Sequence, residues 1–318
     1  GSGGTGGGGD CNTLTGVEVI SVRKDGAGDF TSIQAAVDSL SSTNPTTTVL
    51  RIAPGTYQEK LVIDVPNLIL CGETGQASAT LLTYGDNANT PKAGGGTLGT
   101  TGSASTRIAS NHVSAENLTF ANSTPLGGSQ AVALLVTGDA VQFRDCRFLS
   151  YQDTLYVRHA RQYFRDCYIE GSVDFIFGDA TAVFQDCTVH NAAAGTAVTA
   201  PNTPQAVAYG LVFFGGELTA AGNVSGNSVS LGRNWGAYGS TTFLHTILGG
   251  HIRPAGWQAM GSNTLATARF AEHQTTGDGA TSSDLAARVP ESRQLSADEA
   301  AAYTLQNILG DWSPSFSQ

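Results

Sequence analysis

Two aspartates in similar settings are the strongest candidates for chemistry. Asp153 lies in YQDTLY and Asp174 lies in GSVDFIFG, 21 residues further along the chain. Both are surrounded by apolar and aromatic residues, where an ionised carboxylate is costly unless it has a partner. When two carboxylates lie close together, repulsion between like charges raises the pKa of one of them. Such a pair can supply a proton donor and a nucleophile for an ester or a glycosidic bond.

Uncharged donors and a cation accompany the two aspartates. Gln152 directly precedes Asp153, and Gln130 lies in SQAVAL further upstream. A glutamine amide donates hydrogen bonds without carrying charge, which suits a developing oxyanion. In LGRNW, Arg233 could keep a neighbouring aspartate ionised and Trp235 could support a sugar ring. Taken singly, each of these residues is more often a surface group, so the interpretation depends on whether the fold brings them together.

A repeated strand pattern indicates how the aspartates are positioned. VQFRDCRF, QYFRDCYI and AVFQDCTV share the order aromatic, polar, Asp, Cys, any residue, apolar, with spacings of 21 and then 20 residues. Short strands repeated at this period indicate a solenoid. Leucine-rich and helical repeats are excluded because their characteristic patterns are absent. We therefore predict an all-β fold, a parallel β-helix in which each turn adds one strand to each sheet.

The repeat length has consequences for both the aspartates and the cysteines. Because Asp153 and Asp174 are one repeat apart, they lie on neighbouring turns, about 4.8 Å apart along the stack. Cys146, Cys167 and Cys187 form an inward ladder with the same spacing. In an oxidising compartment either neighbouring pair of this ladder could form a disulfide, and three buried free thiols are an equally good interpretation.

Helices are predicted near both ends of the solenoid. Residues 31–40 read as an amphipathic helix with Thr31 near its N-cap, placed to cover the open end of the core. Residues 295–312 read as a second helix, in which Ser296 and Glu299 match the capping-box pattern. The Gly- and Thr-rich segment 86–105 is expected to be a long loop that borders a binding cleft.

We expect residues 1–10, GSGGTGGGGD, to be a linker or tag remnant and residues 11–318 to form a single parallel β-helix catalytic domain.

Composition excludes several classes of partner. The formal net charge of -10 and a pI near 4.9 argue against nucleic acid and against an anionic membrane. No apolar run is long enough to span a bilayer. The histidines show no metal-ligand spacing, so neither a metal nor a cofactor is predicted. A solenoid with covered ends has no free strand edge to drive assembly, which favours a monomer.

The ordered motifs carry a family resemblance. GTYQE (55–59), SQAVAL, YQDTLY, GSVDFIFG and LGRNW occur in the order and at spacings similar to those of the pectin methylesterases (pectinesterases), and the match runs from about 17 to 312. The resemblance implies a right-handed parallel β-helix with an aromatic-lined cleft. It also implies hydrolysis of the C6 methyl esters of homogalacturonan, releasing methanol and pectate. We expect a secreted or periplasmic protein.

Residue roles follow from the same resemblance, position by position. Asp174 matches the nucleophile, and Asp153 matches the general acid that later acts as a base. Gln130 and Gln152 match the pair that flanks the anionic intermediate, and Arg233 matches the cation that orients the nucleophile. The family's substrate-binding aromatic positions correspond to Trp235, Tyr156, Phe177 and Trp257.

The chain departs from the family pattern at two places. The family usually reads RPW where this chain has Asn234, so the turn loses proline's fixed φ and gains a donor. Shortly after Trp257 the family often has a second Trp, where this chain has Gln258, Ala259 and Met260. We expect a slightly different placement of Trp235 and weaker substrate contacts near Met260.

Three other functions fit the sequence less well. A polygalacturonan depolymerase would share the solenoid, but the segments expected of a polygalacturonase or of a pectate lyase are missing. A serine esterase would need a GxSxG elbow, and the chain has none. A non-catalytic carbohydrate-binding β-helix is disfavoured because both Asp, both Gln and Arg233 are retained.

Overall fold

The strands stack into three parallel sheets that run the length of the molecule. The computed structural model describes residues 10–316. Within that range the sheets contain eleven, eight and eight strands, and every strand pairs in parallel with its equivalent one turn away. This arrangement is a parallel β-helix, which confirms the predicted fold class. Residues 1–9 of the expected linker lie outside the described range, whereas Asp10 caps a short helix by accepting from the Asn12 N–H.

The sheet that carries the candidate site is called the cleft sheet. Its strands, in order, are Leu61–Ile63, Thr106–Ile108, Leu134–Val136, Leu155–Val157, Ile176–Gly178, Ala197–Pro201, Ser230–Asn234 and Trp257–Ala259.

Two further sheets complete each turn. The long sheet contains Glu18–Val22, Thr48–Ile52, Leu68–Cys71, Ser114–Glu116, Val141–Arg144, Arg161–Arg165, Thr181–Gln185, Leu211–Phe214, Ser240–Leu244, Arg269–His273 and Arg293–Gln294. The third sheet contains Gly55–Gln58, Thr80–Tyr84, Thr119–Asn122, Arg147–Leu149, Tyr168–Gly171, Thr188–Asn191, Glu217–Ala220 and Ile247–Leu248.

The helices are short. The α-helices of the described residues are Ile33–Asp38, Gly99–Gly102, Ser282–Ala286, Ala297–Ala300 and Leu305–Leu309, and the 3-10 helices are Cys11–Thr13, Ala77–Ala79 and Leu265–Thr267. Between residues 10 and 316, no helix combines the length and the apolar character needed to cross a bilayer.

Identical side chains stack along the core because successive turns pair in register. The inward phenylalanines of five consecutive strands of the long sheet lie ring over ring, with centroids 4.4 to 4.8 Å apart. Stacked aromatic pairs contribute about 0.5–1.5 kcal/mol each beyond the area they bury. The ladder consists of Phe143, Phe164, Phe184, Phe213 and Phe243.

The cysteine ladder is present, but it contains no disulfide. Cys146, Cys167 and Cys187 are buried free thiols, so the free-thiol interpretation is confirmed and both disulfides considered within the ladder are wrong. Burial raises the pKa of the Cys146 thiol, which keeps it protonated and unreactive. The disulfide joins Cys11 to Cys71 instead and fixes the N-terminal segment against the long sheet.

Removing the Cys11–Cys71 disulfide should lower the free energy of unfolding. The bond closes a loop with a sequence separation of 60, for which the chain-entropy model gives about 4 kcal/mol. We expect a variant with both Cys11→Ser and Cys71→Ser to unfold at a clearly lower temperature than the oxidised protein. An unchanged midpoint in scanning calorimetry would contradict this.

The N-terminal helix lies where the sequence predicts it but is shorter. It spans Ile33–Asp38, and its N-cap is Ser32 rather than Thr31, since the Ser32 hydroxyl accepts from the Ala35 N–H. The Glu59 carboxylate also accepts from the Ser32 hydroxyl and from two N–H groups of the first turn. Glu59 of the GTYQE motif therefore anchors this helix, whose buried face packs against the core.

The predicted continuous helix over 295–312 is wrong. The chain forms Ala297–Ala300, with the expected capping box of Ser296 and Glu299, and then a separate helix Leu305–Leu309. The break occurs where Thr304 adopts an extended conformation and caps the second helix. This bend lets Ile308 and Leu309 pack on the outer face of the long sheet.

Candidate active site

A cleft of about 460 Å³ lies on the outer face of the cleft sheet. Its floor comes from outward-facing residues of four successive strands, namely Tyr156, Phe177, Ala200 and Arg233. Segment 98–101 forms one wall, and Trp235 and Met260 contribute to the lining elsewhere. Asp153, Asp174, Gln130 and Gln152 also line this cleft, so the fold gathers the five predicted catalytic residues in one place.

The regular stacking of turns aligns the predicted polar groups. The Ala131 N–H donates to the Gln152 carbonyl at 3.1 Å, and the Asp153 N–H donates to the Val173 carbonyl at 3.0 Å. Gln130, Gln152 and Val173 therefore occupy equivalent positions in three successive turns. Gln130 therefore lies one turn before Gln152, at a separation close to the length of the repeat.

The two aspartates share one backbone conformation. Asp153 has φ 65° and Asp174 has φ 50°, both in the left-handed region that aspartate tolerates better than most residues. They occupy equivalent positions on neighbouring turns, and both side chains reach the cleft although the residues are only 8% and 4% exposed. The predicted juxtaposition of the two carboxyl groups is therefore present.

Arg233 binds the Asp174 carboxylate with two parallel hydrogen bonds. Its Nε donates to Oδ1 at 2.8 Å and its Nη2 donates to Oδ2 at 2.6 Å. A bidentate guanidinium stabilises the ionised carboxylate and fixes its plane. The same contact raises the pKa of the Arg233 guanidinium, so the cation stays charged.

The surroundings of Asp153 favour its protonated form. Burial and, secondarily, the negative charge of Asp174 raise the pKa of Asp153 to about 8, although Arg233 opposes the rise. Asp153 is therefore mainly protonated at neutral pH, while Arg233 favours the ionised form of Asp174. Two neighbouring carboxyl groups in different protonation states can act as acid and nucleophile.

The glutamines present donors beside the aspartates. The Ser129 hydroxyl donates to Gln130 Oε1 at 2.6 Å, which occupies the acceptor side of the amide. The Gln130 amide nitrogen then remains available to a group bound in the cleft. Gln152 lines the same cleft directly beside Asp153. Two uncharged donors near a nucleophile suit stabilisation of an oxyanion.

Three of the four predicted aromatic residues line the cleft. Tyr156 and Phe177 stack with ring centroids 4.2 Å apart, and both rings are almost fully buried. The ring centroid of Trp235 lies 6.1 Å from that of Tyr156 and 5.9 Å from that of Phe177. Trp235 is 39% exposed. Trp235 therefore offers an accessible aromatic surface above a rigid apolar floor.

Trp257 is not a cleft residue, so this prediction is wrong. It pairs in register with Gly232, which belongs to the inward-facing row of the cleft sheet. Its ring stacks on Phe270 with centroids 4.3 Å apart, and the residue is 1% exposed. A Cβ on Gly232 would lie 3.1 Å from the Trp257 ring, so the absent side chain makes room for the indole.

Some residues that line the cleft could not be identified from the sequence. Leu98 to Thr101 belong to the segment predicted to border a cleft, but no pattern distinguished them individually. Met260 was noted only as a departure from the family pattern, yet it contributes to the cleft. Ala200 carried no signal, because a small residue in a strand is uninformative until the register is known.

The chain is similar to known proteins over most of its length. The family model described as pectinesterase matches residues 19–311. Pectinesterase 31 of Arabidopsis thaliana is 37% identical over 290 residues, which cover 90% of this chain and 90% of the plant protein.

Solved structures agree with this similarity. Pectin methylesterase PemA from Erwinia chrysanthemi gives a TM-score of 0.85 at 32% identity, covering 95% of this chain and 100% of that one. A pectin methylesterase crystallised with a hexasaccharide gives a TM-score of 0.83 at 31% identity. The match covers 96% of this chain and 99% of that one.

Proposed function

The chain belongs to the pectinesterase family and is a pectin methylesterase, and we propose that it hydrolyses the C6 methyl esters of homogalacturonan through a covalent intermediate on Asp174. Pectinesterases are carboxylic ester hydrolases, so the reaction is acyl transfer to water. A similar enzyme holds a hexasaccharide, which supports a polysaccharide chain as the ligand of this cleft.

In the first half of the reaction, a carboxylate oxygen of Asp174 attacks the C6 carbonyl carbon. The Gln130 and Gln152 amides donate hydrogen bonds to the oxyanion that forms. As the bond between C6 and the methoxy oxygen breaks, Asp153 gives its proton to that oxygen and methanol leaves. The galacturonoyl group is then joined to Asp174 as an anhydride.

In the second half, water completes the hydrolysis. Asp153, now ionised, takes a proton from a water molecule as that molecule attacks the C6 carbonyl carbon. The bond to Asp174 breaks, and its carboxylate returns to Arg233. Asp153 is protonated again, and the product acid is released and loses the second proton of the water molecule to solvent, so the enzyme returns to its starting state.

One observation carries this mechanism. The bidentate contact with Arg233 favours an ionised Asp174, while burial raises the pKa of Asp153 to about 8. Equivalent carboxyls on neighbouring turns thus lie in different electrostatic environments before substrate arrives. A simple binding surface has no need for this arrangement. A glycosidase could use a similar pair, and the match to the pectinesterase family favours the ester over the glycosidic bond.

The reaction class is tested by following two products of one incubation. With highly methylated pectin, we expect methanol release with no loss of viscosity beyond that caused by de-esterification itself, and no new reducing ends. Rapid formation of reducing ends would favour a depolymerase. Binding without either product would favour a non-catalytic β-helix.

Net charge supports a preference among pectins. The chain carries a formal net charge of -10, whereas heavily methylated pectin is nearly neutral and de-esterified pectin is anionic. At low ionic strength and equal ester concentration, the initial rate should fall as prior de-esterification increases. Added salt should narrow the difference. A rate that rises with prior de-esterification would contradict this proposal.

Trp235 and Trp257 should respond differently to truncation. Trp235→Ala removes an exposed aromatic surface, so we expect a higher KM and a nearly unchanged melting temperature. Trp257→Ala opens a core cavity and should cost about 3–5 kcal/mol of stability, leaving the KM of the folded enzyme unchanged. A raised KM without destabilisation in Trp257→Ala would return Trp257 to the cleft.

We propose a secreted or periplasmic location and a monomeric state. The Cys11–Cys71 disulfide supports a secreted or periplasmic protein, because such bonds persist in oxidising compartments. Helices Ile33–Asp38 and Ser282–Ala286 lie near opposite ends of the strand order, and Ile33 and Leu285 pack against the core. Covered ends support a monomer.

A further inference from the structure

The backbone on both sides of Trp235 is held by one side chain. Asn263 Nδ2 donates to the carbonyl oxygen of Asn234 at 3.0 Å and to the carbonyl oxygen of Trp235 at 2.9 Å. The first carbonyl belongs to the peptide unit before the Trp235 Cα, and the second belongs to the unit after it. Because peptide units are planar, fixing both of them restrains the φ and ψ of Trp235.

The Asn234 side chain also joins the segment that carries Trp235 to the segment that carries Asn263. Its Nδ2 donates to the Thr264 carbonyl at 2.8 Å, and its Oδ1 accepts from the Met260 N–H at 3.3 Å. Asn234 is fully buried, so these bonds satisfy both ends of its amide. A proline here would supply neither bond. The donor gained at this departure from the family pattern therefore ties two loops together.

The contact between the loops extends beyond the two asparagines. The Thr267 hydroxyl donates to the Ala237 carbonyl at 2.7 Å, and Arg269 Nε donates to the Tyr238 carbonyl at 3.0 Å. Segment 260–269 thus follows segment 234–238 along several residues. Met260, at the start of this contact, also lines the cleft.

The Trp235 side chain itself has few restraints. It is 39% exposed, and its ring centroid lies about 6 Å from the rings of Tyr156 and Phe177 at steep angles rather than stacked upon them. The direction of the indole therefore depends strongly on the backbone that carries it. A platform that must meet a sugar ring gains affinity when its position is fixed before binding.

We propose that Asn263 is a positioning residue for substrate binding, which acts by holding the two peptide units around Trp235 so that the indole is pre-set for the polysaccharide. The proposal rests on the pectin methylesterase function given above. It assigns Asn263 no part in bond making or bond breaking, because the Asn263 amide donates to the backbone of Asn234 and Trp235 and Asn263 is not among the residues that line the cleft.

Two substitutions test the role of Asn263. Asn263→Ala removes both donors, and Asn263→Asp keeps the size of the side chain while placing acceptors beside two carbonyl oxygens. Both should raise the KM for methylated pectin by about three- to tenfold, the range expected for lost hydrogen bonds, with kcat within about twofold of wild type. Asn307→Ala is the matched control, since Asn307 also donates to a backbone carbonyl, that of Ala302, in the C-terminal region.

A double variant locates the effect. In a Trp235→Ala background, Asn263→Ala should change KM by less than twofold, because the platform that it positions is gone. A full additional increase in KM would overturn the proposal, as would an unchanged KM in the single variants or an equal increase in Asn307→Ala. A fall in kcat at constant KM would also overturn it. If wild-type enzyme released no methanol, the proposed function would fail instead.

A binding measurement separates affinity from turnover. In an Asp174→Asn background, titration calorimetry with methylated oligogalacturonate should show weaker binding once Asn263→Ala is added. Equal dissociation constants with and without Asn263→Ala would contradict a role in binding.

Discussion

The Asp174→Asn variant should release methanol from methylated pectin at least about 10³-fold more slowly than the wild-type enzyme. The neutral amide has nearly the shape of the carboxylate, but it cannot attack the ester carbon at a useful rate. Arg233 loses its ionic partner while the solenoid around it is unchanged. The measurement is methanol release under saturating pectin, with folding confirmed by circular dichroism.

Asp186→Asn is the matched control for this substitution. Asp186 has φ 52°, close to the 50° of Asp174, and lies in a turn of the same solenoid away from the cleft lining. This control should retain wild-type activity, which separates the loss of the nucleophile from the cost of changing an aspartate in a left-handed turn. Methanol release by Asp174→Asn at one tenth of the wild-type rate or faster would remove Asp174 from the chemistry.

The second large effect concerns Asp153. Asp153→Asn should slow the reaction by about 10²- to 10⁴-fold, because the amide cannot give a proton to the departing methoxide or accept one from water. In the wild-type enzyme, kcat/KM should fall as the pH rises through about 8, where Asp153 loses its proton. The residual activity of Asp153→Asn should lack this alkaline limb.

The Asp153→Asn substitution should also increase the free energy of unfolding. The pKa of Asp153 is about 8 in the folded protein and 3.8 ordinarily, so the folded state favours the protonated form. Stability is therefore lost as the pH rises from about 4 to about 8. At pH 7 this cost has an upper limit of about 4 kcal/mol, at about 1.4 kcal/mol per pKa unit. Asp153→Asn removes the cost.

Calorimetry and pH profiles check both parts of this prediction. The melting temperature of Asp153→Asn should exceed that of the wild type at pH 7 or above, and the difference should shrink towards pH 4. A variant that melts lower at neutral pH would mean that the Asp153 carboxyl stabilises the fold. A wild-type kcat/KM that stays flat between pH 7 and pH 10 would contradict the assignment of Asp153 as the acid.

The position of the active site could be predicted because a solenoid converts sequence distance into spatial distance. The strands around Cys146, Cys167 and Cys187 established the repeat, and the spacing of Asp153 and Asp174 matches that repeat. Their neighbourhood follows from the period alone. The contact between Arg233 and Asp174 spans 59 residues and two strand pairings, so it required the family resemblance in addition to the period.

Trp257 shows the limit of that reasoning. A strand alternates between inward and outward positions, and one residue of register decides which face a side chain takes. The short strand Trp257–Ala259 contains too little alternation to fix this from sequence. Its pairing with Gly232, its stacking on Phe270 and its burial in the core show that Trp257 points inward.

The Cys11–Cys71 disulfide and the break between the C-terminal helices could not be predicted from local sequence patterns. Cys11 and Cys71 fall outside the repeated strands that drew attention to the other cysteines, and only the folded N-terminal segment brings them together. The pattern over 295–312 is helical throughout, but the chain breaks at Thr304, which lets Ile308 and Leu309 pack on the outer face of the long sheet.

The most direct test of a covalent intermediate on Asp174 is a competition between water and hydroxylamine. An acyl-enzyme formed from a methyl ester or from an ethyl ester of the same oligogalacturonide is one and the same species. The ratio of hydroxamate to free acid should therefore be identical for both esters, after subtraction of the background measured with Asp174→Asn. A ratio that changes with the leaving alcohol would mean that water attacks the ester directly, and the proposed role of Asp174 as nucleophile would be wrong.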